Sequence, residues 1–87
     1  MGEPTIEERI RVILAETFPE RPDLAEAHDS NDLFHDMGLN SFSMISLLVG
    51  LEEEFDIIME IDDMTAERVR SIAAIKQTLT RYLRLPG

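Results

Sequence analysis

The sequence predicts an all-α domain: a small antiparallel four-helix bundle with three main helices, one short third helix and a long first loop. Three observations lead there. Apolar residues recur at helical spacing in three separate stretches, beginning near Ile6, Phe42 and Ile72. Each is preceded by a residue able to cap a helix, Thr5, Asn40 or Ser71. The one run that could pass for a strand, Ile57-Ile58-Met59-Glu60-Ile61, finds no second strand to pair with. It reads instead as an extended connector with Ile57 and Ile61 anchored inward. Eighty-seven residues suit one modest core, so residues 1–87 are taken as a single domain.

The first helix is placed from Ile6 to about Phe18. Thr5-Ile6-Glu7-Glu8 is a capping box, in which Thr5 and Glu8 satisfy each other's backbone amides. Ile6, Ile10, Ile13, Leu14 and Thr17 share one face, with Arg9, Arg11 and Glu16 largely off it. Pro19 and Pro22 stop this helix. Residues 19–40 then show no sustained period and form a long loop, with Leu33 and Phe34 tucked into the core by a short turn.

The second helix starts at Asn40 or Ser41 and runs to about Phe55. Leu47, Leu51 and Phe55, with Met44 and Leu48 alongside, form its apolar stripe. Gly50 inside it costs about 1 kcal/mol against alanine, so either a neighbouring helix packs close there or the position is exposed and tolerant. Glu52-Glu53-Glu54 places negative charge at the wrong end for the helix dipole, with no local compensation in sequence. Asp62 or Asp63 can cap a short third helix over roughly Met64 to Arg68. Ser71 caps the fourth, whose face is Ile72, Ile75, Leu79, Tyr82 and Leu83; Arg81 and Arg84 suit its end, and Pro86-Gly87 terminates it.

The net charge is -10, and it is uneven: residues 20–67 hold fourteen acids and one Lys or Arg, Arg21. Such a field repels nucleic acid and anionic lipid and would attract basic protein surfaces, although on charge alone the better reading is that the acids only keep a small domain soluble. There is no cysteine, so the chain has neither disulfides nor thiol chemistry of its own. His28 and His35 lack the context of a metal site. A calcium loop counted from Asp29 would need an oxygen ligand, a glycine and a glutamate where Leu33, Phe34 and Asn40 stand. The N-terminus has no basic region followed by an apolar run, and no stretch has the roughly 18 apolar residues of a membrane span. A cytoplasmic monomer is the expectation.

The most informative stretch is Asp36-Met37-Gly38-Leu39-Asn40-Ser41-Phe42, followed by Ile-x-Leu-Leu-x-x-Leu-Glu-Glu-Glu-Phe-Asp from Ile45 to Asp56. A serine opens a helix there with no histidine or cysteine beside it as a base, and no Gly-x-Ser-x-Gly elbow is present. A serine so placed usually means only a helix cap, but the whole stretch also fits a hydroxyl that a partner enzyme can reach. It resembles the acyl carrier protein family, over about Asp32 to Leu83. The resemblance implies that Ser41 bears a 4'-phosphopantetheine arm donated by coenzyme A, flanked by Asn40 and Phe42 where the family more often has aspartate and leucine. Ser43, the nearest other hydroxyl, lacks the Asp-x-Gly-x-Asn approach.

The same resemblance implies a carrier rather than an enzyme. Its partners would be a phosphopantetheinyl transferase, a loading ligase or synthase, and downstream acyl or aminoacyl acceptor enzymes, met through acids of the second helix, here Glu52 and Glu53. Ser46 stands where fatty-acid carriers often have glutamate. The runs Val-Gly-Leu-Glu-Glu-Glu-Phe-Asp-Ile and Arg-Ser-Ile-Ala-Ala-Ile look closest to free-standing carriers, aminoacyl carriers among them. Met44, Leu48, Met59 and Ile72 could border a space for cargo but read better as core. The rival reading is an acidic helical adaptor without a prosthetic group that docks through Phe42 and its neighbours.

Overall fold

α1 spans Ile6–Thr17 in the computed structural model, which describes residues 2–83. Its capping box forms as the sequence requires: the Glu8 amide donates to Thr5 Oγ1 at 3.1 Å and the Thr5 amide to Glu8 Oε1 at 2.7 Å. Ile10, Ile13 and Leu14 go into the core, and Phe18 caps the end, its amide donating to the Leu14 carbonyl. The three remaining helices, α2 (Pro22–Ala25), α3 (Ser41–Phe55) and α4 (Ile72–Leu83), all pack against α1. The all-α class holds, and no strand occurs among the described residues. Arg84, Pro86 and Gly87, read as the end of the last helix, lie outside those residues.

The short helix falls elsewhere than expected. Pro22 does not only stop α1; it occupies the first turn of α2, where its missing N–H costs nothing. Over Met64–Arg68, where a short helix was expected, the chain makes isolated turns, preceded by a 3-10 turn at Ile61–Asp63. The cause is that Asp63 does not cap a helix. It is buried, at 6% exposure, where its carboxylate accepts from Arg81 Nη2 at 2.7 Å and the Tyr82 hydroxyl at 2.6 Å. Tyr82 in turn accepts from the Glu60 amide. This latch fixes the connector to the last turns of α4.

The Tyr82 hydroxyl, and after it Arg81, hold the Asp63 carboxyl below its ordinary range. A depressed carboxylate adds stability above its unfolded pKa of about 3.9, and that contribution is lost as pH falls through the folded value. Asp63→Asn therefore loses about 1–3 kcal/mol at neutral pH, the scale of a hydrogen bond to a charged group. The gap to wild type closes as the pH drops below 4. Urea unfolding at pH 7 and in acid reads both, and a gap that stays constant would show that the carboxylate charge is irrelevant.

Arginines hold the long loop. Arg11 Nη1 donates to the carbonyls of Ala25 and Ala27, both at 2.8 Å, joining α1 to α2. Arg21 Nη2 donates to the Met37 carbonyl at 2.7 Å. Leu33 is buried as expected, its amide bonded to the Arg70 carbonyl, while Phe34 is only half-buried. Asp32 Oδ1 accepts the amides of His35 and Phe34, and the His35 amide, first, draws its pKa below the ordinary range. Gly38, at φ +85, turns the chain into α3 through a conformation that L side chains rarely adopt.

Leu47, Leu48, Leu51 and Phe55 bury the inner face of α3. Gly50 is resolved as a close approach: a Cβ there would meet Ile13 Cγ2 at 3.1 Å and Thr17 Oγ1 at 3.3 Å. Gly50→Leu, which must force α1 and α3 apart, should cost about 1–3 kcal/mol by overpacking. Gly50→Ala should stay within about 1 kcal/mol of wild type, because gained helix propensity offsets the contact. Thermal melts of the two compare directly, and a stable leucine variant would refute the packing.

The acidic end of α3 is compensated after all. Arg9 donates to the Glu54 carboxylate at 3.0 Å and the Glu54 carbonyl at 2.9 Å, and lies 4.2 Å from the Phe55 ring centroid. Glu52 Oε2 accepts the Met59 amide at 2.9 Å. Met59 is buried at 3% exposure, while Ile61, which opens the 3-10 turn, stands 83% exposed; of the two anchors expected in the connector, only Ile57 packs against the core. Ser71 caps α4 by accepting the Ala74 amide at 3.0 Å, and the buried Thr78 hydroxyl donates to the Arg68 carbonyl. Of the fourth helix's expected face, Tyr82 is half-buried and Leu83 is exposed.

Candidate functional site

Asn40 sits in extended conformation as the N-cap of α3, and its Oδ1 accepts two groups from one residue: the Ser43 amide at 3.0 Å and the Ser43 hydroxyl at 3.2 Å. Its carbonyl takes the Met44 amide. Aspartate is thus not needed for the cap; the amide oxygen does the same work. The arrangement separates the two serines. Ser43 is half-buried with its hydroxyl engaged, whereas Ser41 is exposed and its hydroxyl has no partner among the described residues.

The amides of Ser41 and Phe42 likewise have no acceptor among the described residues, as the opening of a helix leaves them. They face the dipole's positive end and suit a phosphodiester on the neighbouring hydroxyl. The residues present therefore fit a phosphate-linked group on Ser41: an open hydroxyl, two open amides and no side chain bonded across them. No base is at hand. His35, six residues back, pairs with Asp36 at 3.4 Å in solvent. No metal-ligating cluster occurs among the described residues.

Phe42, beside Ser41, stands 83% exposed. Ile45 and Val49 are exposed beside it on the outer face of α3, with Ser41 at one end and Glu53 further along. Sequence reading missed Ile45 and Val49. The available signal was excess: Phe42, Met44, Ile45, Leu47, Leu48, Val49 and Leu51 are more apolar residues than one buried stripe uses. Glu52 is half-buried with its carboxylate on the connector, while Glu53 is exposed. Leu48, Met59 and Ile72 are buried and Met44 packs against them as core.

None of the described helices is long and apolar enough to cross a membrane. The family model described as "Phosphopantetheine attachment site" matches residues 8–79. The "Acyl carrier protein, mitochondrial" of Saccharomyces cerevisiae is 47% identical over 53 residues, which are 59% of this chain and 41% of that protein. The chain thus matches less than half the length of this curated relative. The family match takes in most of α1, the Asn40-Ser41 helix start and most of α4. The chain belongs to the acyl carrier protein family, whose members are not enzymes and bear a covalently attached 4'-phosphopantetheine.

Proposed function

We propose that Ser41 is the attachment site and that the chain, as a single carrier domain, presents an acyl or aminoacyl group to partner enzymes. The observation that carries this is the contrast between two hydroxyls about half a helical turn apart: Ser43 is tied to Asn40, and Ser41 is open. Attachment forms a bond from Ser41 Oγ to the β-phosphorus of coenzyme A. The bond to the departing nucleotide breaks, and the hydroxyl proton goes to a base of the transferase, since no side chain among the described residues bonds the Ser41 hydroxyl. When bound, the arm supplies the terminal thiol that a chain without cysteine lacks and holds the cargo as a thioester.

Asn40 positions Ser41 by holding the cap. Phe42, Ile45 and Val49, with Glu53 and the part-exposed Glu52, form the face that a transferase and a loading ligase or synthase would meet. Acids there speed the encounter with basic partners. Cytoplasmic residence is part of the proposal; the yeast relative is named as a mitochondrial protein, and fractionation of the source cell decides.

The test is intact mass after incubation with coenzyme A and a phosphopantetheinyl transferase. A gain of one phosphopantetheinyl group, mapped by peptide fragmentation to Ser41, is expected. An unmodified protein under conditions that modify a control carrier would return the chain to the adaptor reading, in which Phe42 and its neighbours only dock.

A further inference from the structure

Charge is segregated along the chain. Against the acids of residues 20–67, residues 68–87 hold five Lys or Arg and no acid. Three of these cations, Arg68, Arg70 and Arg81, converge on one surface groove of about 330 Å³, beside Ala74, Gln77 and the acid Glu67. A volume of this size lies at the lower end of small-ligand sites.

The other described arginines are engaged. Arg9 bonds Glu54, Arg11 bonds Glu7 and two carbonyls, and Arg21 bonds Asp23 and a carbonyl. Arg81 gives one N–H to Asp63. Arg68 and Arg70 make no side-chain hydrogen bond among the described residues. Arg68 Nε stands 3.7 Å from Asp63 Oδ1, beyond hydrogen-bond length. One buried carboxylate thus serves two guanidiniums from behind, Glu67 opposes at the rim, and a third guanidinium stands alongside. Asp32 also lies close enough to Arg70 to feel its charge, yet the groove's own lining sets three guanidiniums against one acid and keeps unspent planar donors.

We propose that this groove binds a small phosphate monoester. A lone carboxylate brings one charge and two oxygens to a site that presents three guanidiniums. A phosphate monoester brings about −1.5 to −2 charge and three acceptor oxygens, which Arg forks match in pairs. An anionic membrane brings the same phosphate chemistry but must also approach a chain of net charge −10, which repels it. The inference is independent of the Ser41 reading.

The experiment is a backbone amide NMR titration of the full chain with inorganic phosphate at fixed ionic strength. Parallel arms use acetate and phosphatidic-acid vesicles. Phosphate should give saturable shifts at Arg68, Arg70, Ala74 and Gln77, absent with acetate and unchanged in Ser41→Ala. Arg68→Gln with Arg70→Gln should weaken binding about tenfold or more while the melt stays near wild type, since both side chains are exposed. Shifts that fail to saturate, that acetate reproduces, or that persist in the double variant would overturn the assignment. So would binding to vesicles alone.

Discussion

Ser41→Ala should take up no phosphopantetheine and should unfold within about 0.5 kcal/mol of wild type, because the position is exposed and outside the core. The cap survives because Asn40, not Ser41, supplies the acceptor for the Ser43 amide. Chemistry is all or none here, because a methyl group has no oxygen to form the phosphodiester. Ser43→Ala is the companion: it removes a hydroxyl that donates to Asn40 but leaves the Ser43 amide on the cap, so modification continues at a near-normal rate. Intact mass and a urea titration on both variants read the two effects separately. Modification lost in Ser43→Ala and retained in Ser41→Ala would move the site one half-turn along α3.

Leu51→Ala has the largest expected effect on stability, about 2–5 kcal/mol. Leu51 is fully buried on the inner face of α3, one residue beyond the close approach of Gly50 to α1. Truncation loses the transfer energy of three heavy atoms and leaves a cavity that two rigid helices cannot close. Small domains total about 5–15 kcal/mol, so the midpoint of thermal unfolding should fall by roughly 10 °C or more. Calorimetry settles it. A midpoint within about 2 °C of wild type, less than 1 kcal/mol for a domain this small, would mean that α3 is rotated from the orientation described.

Features fixed by neighbours in sequence were legible. Thr5 and Glu8 three residues apart, Asn40 before a helical run, and Ser71 before another each act within one turn, and each forms the cap expected of it. Ser41 stood out for the same reason. What depends on tertiary partners was not legible. Nothing near Glu54 in sequence announces Arg9, forty-five residues away. Nothing near Asp63 announces Tyr82, so an inward carboxylate was read as a helix cap. Ile57 and Met59 point inward from the extended connector, but a 3-10 turn opens at Ile61, breaks the alternation and leaves Ile61 exposed, which no local pattern announces. α2 is a single turn, too short for periodicity to register, and Pro22 fits both the end of one helix and the start of another.

α1 is the one helix on which all the others rest, and this governs how the domain is made. Its face is fully covered only when α4 arrives, so its partners are spread over almost the entire chain. During synthesis α1 emerges first and must wait, with Ile10 and Leu14 uncovered, until residues near Leu79 have left the ribosome. Folding is therefore a late event set by the closing of the longest loop rather than by any one helix. A chain cut before Ser71 is left with an orphaned apolar face, and such fragments are the species a cell's chaperones and proteases should recognise.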